Sequence, residues 1–266
     1  MGTPKTGGIL GEILESVRGA LQIERSEVPL DELCSLARDA PPPRNFQAAL
    51  TSGEPPRIIA EAKGASPSAG TLAKAYEPVS LARAYQEGGA VALSVLTEPR
   101  YFHGALGHLS AAREATGLPV LRKDFLVDPY QLYQARAAGA DAVLLIVRCL
   151  EDGPLQEFLG LAEDLGMSAL VEAYDEVEVD RAVAAGARII GINQRDLKTF
   201  ETDPISTLKL SARLPPSCIG VAESGIKTRD DIKKFMAGGF ESFLVGETLI
   251  RSRDPTQKIR ELRGAG

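Results

Sequence analysis

AGADAVLLI, residues 138–146, puts a glycine just ahead of five uninterrupted apolar residues. Glycine is the usual residue at a helix stop, and a short apolar run after it reads as a strand buried on both faces. The phrase returns as GGAVALSVL at 88–96, AGARIIGI at 185–192 and GGFESFLVG at 238–246. Working outward from these copies gives units of roughly 25 residues, each one helix followed by one strand. The strands expected on this reading are Arg57–Ala62, Ala92–Leu96, Val120–Lys123, Ala142–Ile146, Ser168–Glu172, Ile189–Asn193, Cys218–Glu223 and Ser242–Val245. Eight βα units of parallel character fill a closed (β/α)₈ barrel, the TIM-barrel architecture. An open doubly wound sheet is the competing arrangement, and it is disfavoured because no GxGxxG follows the first strand.

Helix signals sit between the strands. Pro129–Ala138 is expected to start at an Asp128 cap and stop at Gly139, and Asp175–Ala185 to stop at Gly186. The first 50 residues read differently, as helices near Ile9–Gln22 and Leu30–Arg38 before a turn at Pro41–Pro43. The expected organisation is therefore a helical extension over 1–50, packed on a catalytic barrel over 51–266.

Composition narrows the function classes. A net charge of −6 without a basic run argues against nucleic-acid binding. No apolar stretch is long enough to span a bilayer and no signal-type run follows the amino terminus, so neither a membrane partner nor export is expected. Cys34, Cys149 and Cys218 are odd in number and lack CxxC spacing, which fits a reducing cytoplasm and no zinc site. With only His103 and His108, a three-histidine metal centre is excluded. A monomer is compatible with this sequence, which carries no signal for oligomeric state.

In a barrel, polar residues at the carboxyl ends of strands converge on one mouth, and side chains two apart on a strand point the same way. Glu61 and Lys63, Lys123, Glu172 and Glu223 meet that test on the first, third, fifth and seventh strands. Gathered in a partly dry mouth, they would shift one another's pKa values, as general acid–base chemistry requires; a structural ion-pair network is the bland alternative. Alternation sends Arg122 and Asp124 away from Lys123, and Phe125 reads as core filler or as an aromatic wall. Asn193 and Arg195 point together past the sixth strand, suited to a carboxylate or phosphate. Glu223-Ser224-Gly225 and Val245-Gly246-Glu247 place small residues after the last two strands, where barrels frequently bind phosphate. The expected partner is a small phosphorylated molecule. Ser66 lies in a loop rich in small residues after the first strand.

IIAEAKGASPSAG (58–70), SVLTEPRYFHG (94–104), PVLRKDFLVDPYQ (119–131), LVEAYDE (170–176), IIGINQRDLKTFETD (189–203), VAESGI (221–226) and FLVGETLIR (243–251) closely resemble, in this order, the indole-3-glycerol phosphate synthase family of tryptophan biosynthesis. The resemblance covers nearly the whole chain. It implies a carboxy-lyase that needs no cofactor and no metal. It converts 1-(2-carboxyphenylamino)-1-deoxyribulose 5-phosphate to indole-3-glycerol phosphate by ring closure, decarboxylation and dehydration. By the same resemblance Lys123 is the general acid of ring closure and Glu172 the base or acid–base partner of dehydration. Glu61 and Lys63 orient and balance them, and Lys63 is a second candidate acid. Ser66, Phe125, Asn193, Arg195, Glu223 and Ser224 would line the substrate site, with Lys63, Gly225, Gly246 and Glu247 around the phosphate. Ala62, Gly64, Ala105 and Tyr174 depart from the family's commoner residues, and none of the four carries an assigned role. Two other enzymes fit the pattern less well: a Schiff-base aldolase using Lys123, and a phosphoribosylanthranilate isomerase, which the Lys-Asp-Phe block suits poorly. A catalytically silent barrel would have no reason to hold four charges in its mouth.

Overall fold

The computed structural model describes residues 7–66, 70–71, 76–194 and 204–265. Eight parallel strands close into a barrel: β1 (Arg57–Ala62), β2 (Ala92–Leu96), β3 (Val120–Lys123), β4 (Ala142–Ile146), β5 (Ser168–Ala173), β6 (Ile189–Asn193), β7 (Ile219–Glu223) and β8 (Ser242–Val245). Each strand pairs with its neighbour in sequence, and β1 pairs with β8, Arg57 opposite Ser242 and Ala60 opposite Val245, to complete the ring. The strands match expectation to within one residue. Cys218 falls outside β7 because its backbone N–H turns back to Pro215 O at 2.9 Å and its thiol reaches Ala187 O.

Strand alternation separates two cores. Ile58, Ala60, Leu93, Val95, Val143, Leu145, Val171, Ile190 and Phe243 point outward and pack under the helices with Tyr85, Phe158 and Phe235. Ile59, Leu121, Leu144, Leu170, Ile189, Val221 and Leu244 point inward and fill the barrel. A barrel filled this way has no pore, so chemistry is confined to its ends.

Two helices precede the barrel, α1 (Gly8–Glu27) and α2 (Leu30–Asp39). Along α1, Leu10, Ile13, Leu14, Val17 and Leu21 form one buried stripe, and they join the same apolar cluster as the inward strand residues. The helix runs five residues beyond the expected Gln22 although Ile23 is largely exposed. Its last turn is held from outside: the Tyr130 hydroxyl donates to Glu24 O (3.1 Å) and Val28 O (2.8 Å), and Arg25 pairs with Asp128. Apolar periodicity could not register this polar anchor. Pro29 follows and α2 begins. Among the described residues no helix is long and apolar enough to cross a membrane.

Candidate active site

The odd strands β1, β3, β5 and β7 send Glu61, Lys123, Glu172 and Glu223 into a cavity of about 710 Å³ at the carboxyl end of the barrel. The Lys123 ammonium lies between two acids, donating to Glu172 Oε2 at 2.7 Å and to Glu223 Oε2 at 2.8 Å. Glu172 and Glu223 are both almost wholly buried. Burial alone would lower the Lys123 pKa; attraction from Glu172, Glu223 and Glu61 outweighs it and holds the ammonium above its ordinary range. Burial likewise works against the Glu172 anion, yet Lys123 and hydrogen bonds from Lys123, Asn193 and Glu223 keep that carboxylate below its usual value. Glu223 goes the other way. Burial and the neighbouring Glu172 push it up to about 8 against the pull of Lys123.

A second pair stands at the end of β1, where Lys63, the residue just past the strand, donates to Glu61. Both pairs need backbone with no side chain beside them. A Cβ on Gly246 would fall 2.2 Å from Glu61 Oε1 and 3.1 Å from Lys63 Nζ, and a Cβ on Gly191 would fall 1.9 Å from Glu223 Oε1. Gly246 was expected beside phosphate; its tight contact with the Glu61–Lys63 pair is a second reason for a glycine there.

After β7, Ser224 and Gly225 both take positive φ, 66° and 65°. This left-handed pair is unusual for serine. It turns the Ser224 hydroxyl onto Asn193 Oδ1 (2.8 Å), while Gln194 Nε2 donates to Ser224 O at 2.9 Å. Gly225, Gly246 and Glu247 line the same cavity as the lysines, and Glu247 is bound to Arg251 at 2.9 Å. Backbone N–H groups next to small residues, flanked by Lys63, suit an anion at that end.

Phe125 also lines the cavity, as does Asp124, which pairs with Arg122 and not with Lys123. Arg122 Nη2 meets Asp124 Oδ2 at 3.0 Å, and Arg122 Nη1 donates to Gln131 O at 2.7 Å. Ser66 belongs to a two-residue hairpin strand paired with Gly70–Thr71. Arg195 lies outside the described residues.

A family model described as indole-3-glycerol phosphate synthase matches residues 10–262. The chain belongs to that family. A relative named indole-3-glycerol phosphate synthase from Micrococcus luteus is 49% identical over 261 residues, covering 97% of each chain. One of the same name from Mycobacterium avium is 48% identical over 259 residues, covering 97% of this chain and 94% of its own. Solved structures extend the likeness of fold alone. The 3-hexulose-6-phosphate synthase of Salmonella typhimurium superposes with a TM-score of 0.64 at 15% identity, over 79% of this chain and 97% of its own. The N-acetylmannosamine-6-phosphate 2-epimerase of Clostridium perfringens gives 0.60 at 14% identity, over 77% and 91%.

In this indole-3-glycerol phosphate synthase family member, several cavity-lining groups escape a reading based on strand ends. Phe102 faces Phe125 with ring centroids 6.1 Å apart and an interplanar angle of 39°. It sits on a four-residue helix, Pro99–Phe102, capped by buried Glu98, whose carboxylate accepts from the N–H groups of Arg100, Tyr101 and Phe102. The Thr97-Glu98-Pro99 sequence carries that signal, an acidic cap before a proline at the first helical turn. Ile9, Leu10 and Ile13 of α1 also reach the cavity, and no local motif marks them. Lys227 and Arg251 also line the cavity.

Proposed function

We propose that this chain performs the reaction of its family by general acid–base catalysis, with Lys123, Glu172, Lys63 and Glu61 as the reacting groups. The observation that carries the proposal is Lys123 held as an ammonium between Glu172 and Glu223. An ammonium is a proton donor, whereas a Schiff-base mechanism needs the free amine, so the aldolase reading loses ground.

The substrate's aryl carbon bearing the carboxylate attacks the C2′ ketone carbon. The carbonyl π pair moves to oxygen, and Lys123 supplies its proton there as the alkoxide develops. The bond to the carboxylate then breaks, carbon dioxide leaves, and its electron pair restores the aromatic ring. In dehydration Glu172 takes the C1′ proton and Lys63 protonates the departing C2′ hydroxyl, which leaves as water. Glu61 holds Lys63 in place. Phe125 and Phe102 flank the aryl ring; Asn193 and Ser224, already joined by a hydrogen bond, hold the sugar side with Ser66 and Arg195. Gly225, Gly246 and Lys63 receive the phosphate, with Glu247 at its edge.

The same reading takes 1–50 as an extension serving the barrel of 51–266, with α1 supplying an apolar wall of the cavity. It places the enzyme in the cytoplasm as a monomer; its described cysteines, Cys34, Cys149 and Cys218, are all free thiols.

Mixing purified protein with the carboxyphenylamino-deoxyribulose phosphate and following indole fluorescence tests the reaction. Wild type is expected to form the indole, and Lys123→Met to form it on the order of 1,000-fold more slowly. Binding without indole formation by wild type sinks the assignment; full activity of the variant sinks the role of Lys123.

A further inference from the structure

The inner ring of the mouth holds three carboxyl groups, Glu61, Glu172 and Glu223, and two ammonium groups, Lys63 and Lys123, among the described residues. Glu61 and Lys63 neutralise each other. Lys123 then faces both Glu172 and Glu223, one negative charge too many for a buried site about to receive a carboxylate and a phosphate. Glu172 and Glu223 also share one ammonium, Lys123 Nζ, at 2.7 and 2.8 Å, and two buried carboxyl groups crowded on a single cation favour keeping a proton on one of them. The geometry says which one keeps it. Glu172 has its lysine and Asn193 as donors, whereas Glu223 Oε1 is buried against Gly191 with no hydrogen-bond partner. An anion with an unsolvated oxygen is far costlier there than a neutral carboxyl with an idle carbonyl oxygen.

The groups facing this pair are Lys123 on β3, Asn193 on β6, Glu61 on β1 with Lys63 just past it, the buried Cys149 thiol beyond β4, and Arg148, Tyr174 and Glu178, which share a small pocket with Glu172. The cations among them are Lys123, Lys63 and Arg148; Lys63 is taken by Glu61 and Arg148 by Glu178.

We infer that Glu223 is the proton store of this site, a neutral carboxylic acid beside Glu172 that recharges Lys123 after the lysine has protonated the substrate. The inference rests on the reaction proposed above and supplies a part that reaction leaves open. Protonation of the ketone oxygen and of the leaving hydroxyl takes up two protons, and loss of the C1′ proton returns one. Because the carboxylate leaves as neutral carbon dioxide, each turnover takes up one net proton. Once Lys123 has become an amine, the Glu223 O–H proton passes to its nitrogen. Glu223 becomes a carboxylate and regains a proton from water when product departs, while the proton that Glu172 took from C1′ restores Lys63, which gave one to the leaving hydroxyl. Transfer runs downhill, since a carboxylic acid is a stronger acid than an alkylammonium and the ammonium it forms lies 2.7 and 2.8 Å from two carboxylates. Glu223 thus acts through Lys123, as a positioning and proton-holding residue.

Glu223→Gln keeps the shape and stays neutral at every pH, so it separates a proton store from a packing group. With enzyme in excess, its first turnover is expected within about threefold of wild type. Its steady-state kcat is expected about 100-fold lower, at the lower edge of what one acid–base group contributes, and recovered by imidazolium buffer. Wild-type kcat is expected to fall on the alkaline side as Glu223 loses its proton, and that fall is expected to vanish in the variant. A first turnover depressed as much as the steady state, or an unchanged kcat with the same alkaline fall, overturns the inference. An infrared measurement needs no activity: wild type at neutral pH should show the C=O stretch of a buried protonated carboxyl that Glu223→Gln lacks. Absence of that band in wild type, or its persistence in the variant, also overturns it. If the variant does not fold, a pH-indicator burst on wild type decides: indole ahead of proton uptake supports the store, uptake in step with indole refutes it. Should wild type form no indole at all, the reaction assignment fails, and the infrared band still reports where the proton resides.

Discussion

Asp141 and Glu223 are both acidic residues with almost no exposed surface, and they stand at opposite ends of the barrel. Asp141 precedes β4 at the amino end. It accepts from Arg44 N at 2.7 Å and Val120 N at 2.8 Å and pairs with Arg113 at 3.3 Å. The arginines around it are themselves satisfied, Arg44 by Leu118 O and Arg113 O, Arg113 by Pro42 O. Together they strap the Pro41–Pro43 turn to the barrel floor. Glu223 ends β7 at the carboxyl end, shares Lys123 with another acid and leaves one oxygen without a partner. Burial is equal and donor supply is not. A carboxylate saturated with donors has nowhere to send or receive a proton and serves stability; one short of donors keeps its proton in play.

If that contrast holds, damage to the floor should cost stability and spare rate, while damage to the mouth should do the reverse. The largest effect is expected from Asp141→Asn, which removes one partner of a buried ion pair. Stability should fall by about 3 kcal/mol and the melting midpoint by roughly 9 °C, with kcat at 25 °C unchanged; a matching loss of kcat would break the contrast. Gly191→Ala comes next, because its Cβ would sit 1.9 Å from Glu223 Oε1 and displace that side chain. Indole formation should slow about tenfold, roughly 1.4 kcal/mol of barrel-mouth geometry, for about 1 kcal/mol of stability, as read by stopped-flow fluorescence and urea titration of one preparation.

A smaller effect concerns pH. Glu223 is raised from an ordinary 4.5 to about 8, so between those values the folded protein holds a proton that the unfolded chain has lost. Its stabilising contribution is complete below about pH 4.5 and declines as pH rises toward 8. Urea midpoints measured across that window should decline in wild type more steeply than in Glu223→Gln, and parallel slopes would assign the trend to other groups. The smallest effect is expected at the aromatic wall: Phe102→Leu should raise KM roughly threefold, the scale of one aromatic contact, with little change in kcat.

Much of this was legible in the chain. Repetition of glycine stop and apolar strand fixes eight βα units, and because side chains on a strand alternate, placing Lys123, Glu172 and Glu223 at strand ends already implies that they meet. What alternation cannot give is the division of protons among them. That depends on Asn193 reaching Glu172 and on Glu223 Oε1 lying over Gly191, contacts made between strands. Phe102 was missed for a related reason: a four-residue helix beyond a strand has no periodicity, and only the Glu98 cap announces it. The end of α1 was misplaced because polar bonds to Tyr130 and Asp128, more than 100 residues away in sequence, extend it past its apolar stripe.

The seam between β1 and β8 has a consequence for synthesis. It joins Arg57 to Ser242, and the Arg57–Glu241 ion pair, whose partners are 184 positions apart in sequence, fastens it. A ribosome makes β1 first and β8 last, so a nascent chain ending anywhere before β8 carries an open strand edge on β1 and another on its newest strand. Unpaired edges invite pairing with other chains. Only when the eighth strand emerges do both edges vanish at once, and the nascent chain loses its last template for association.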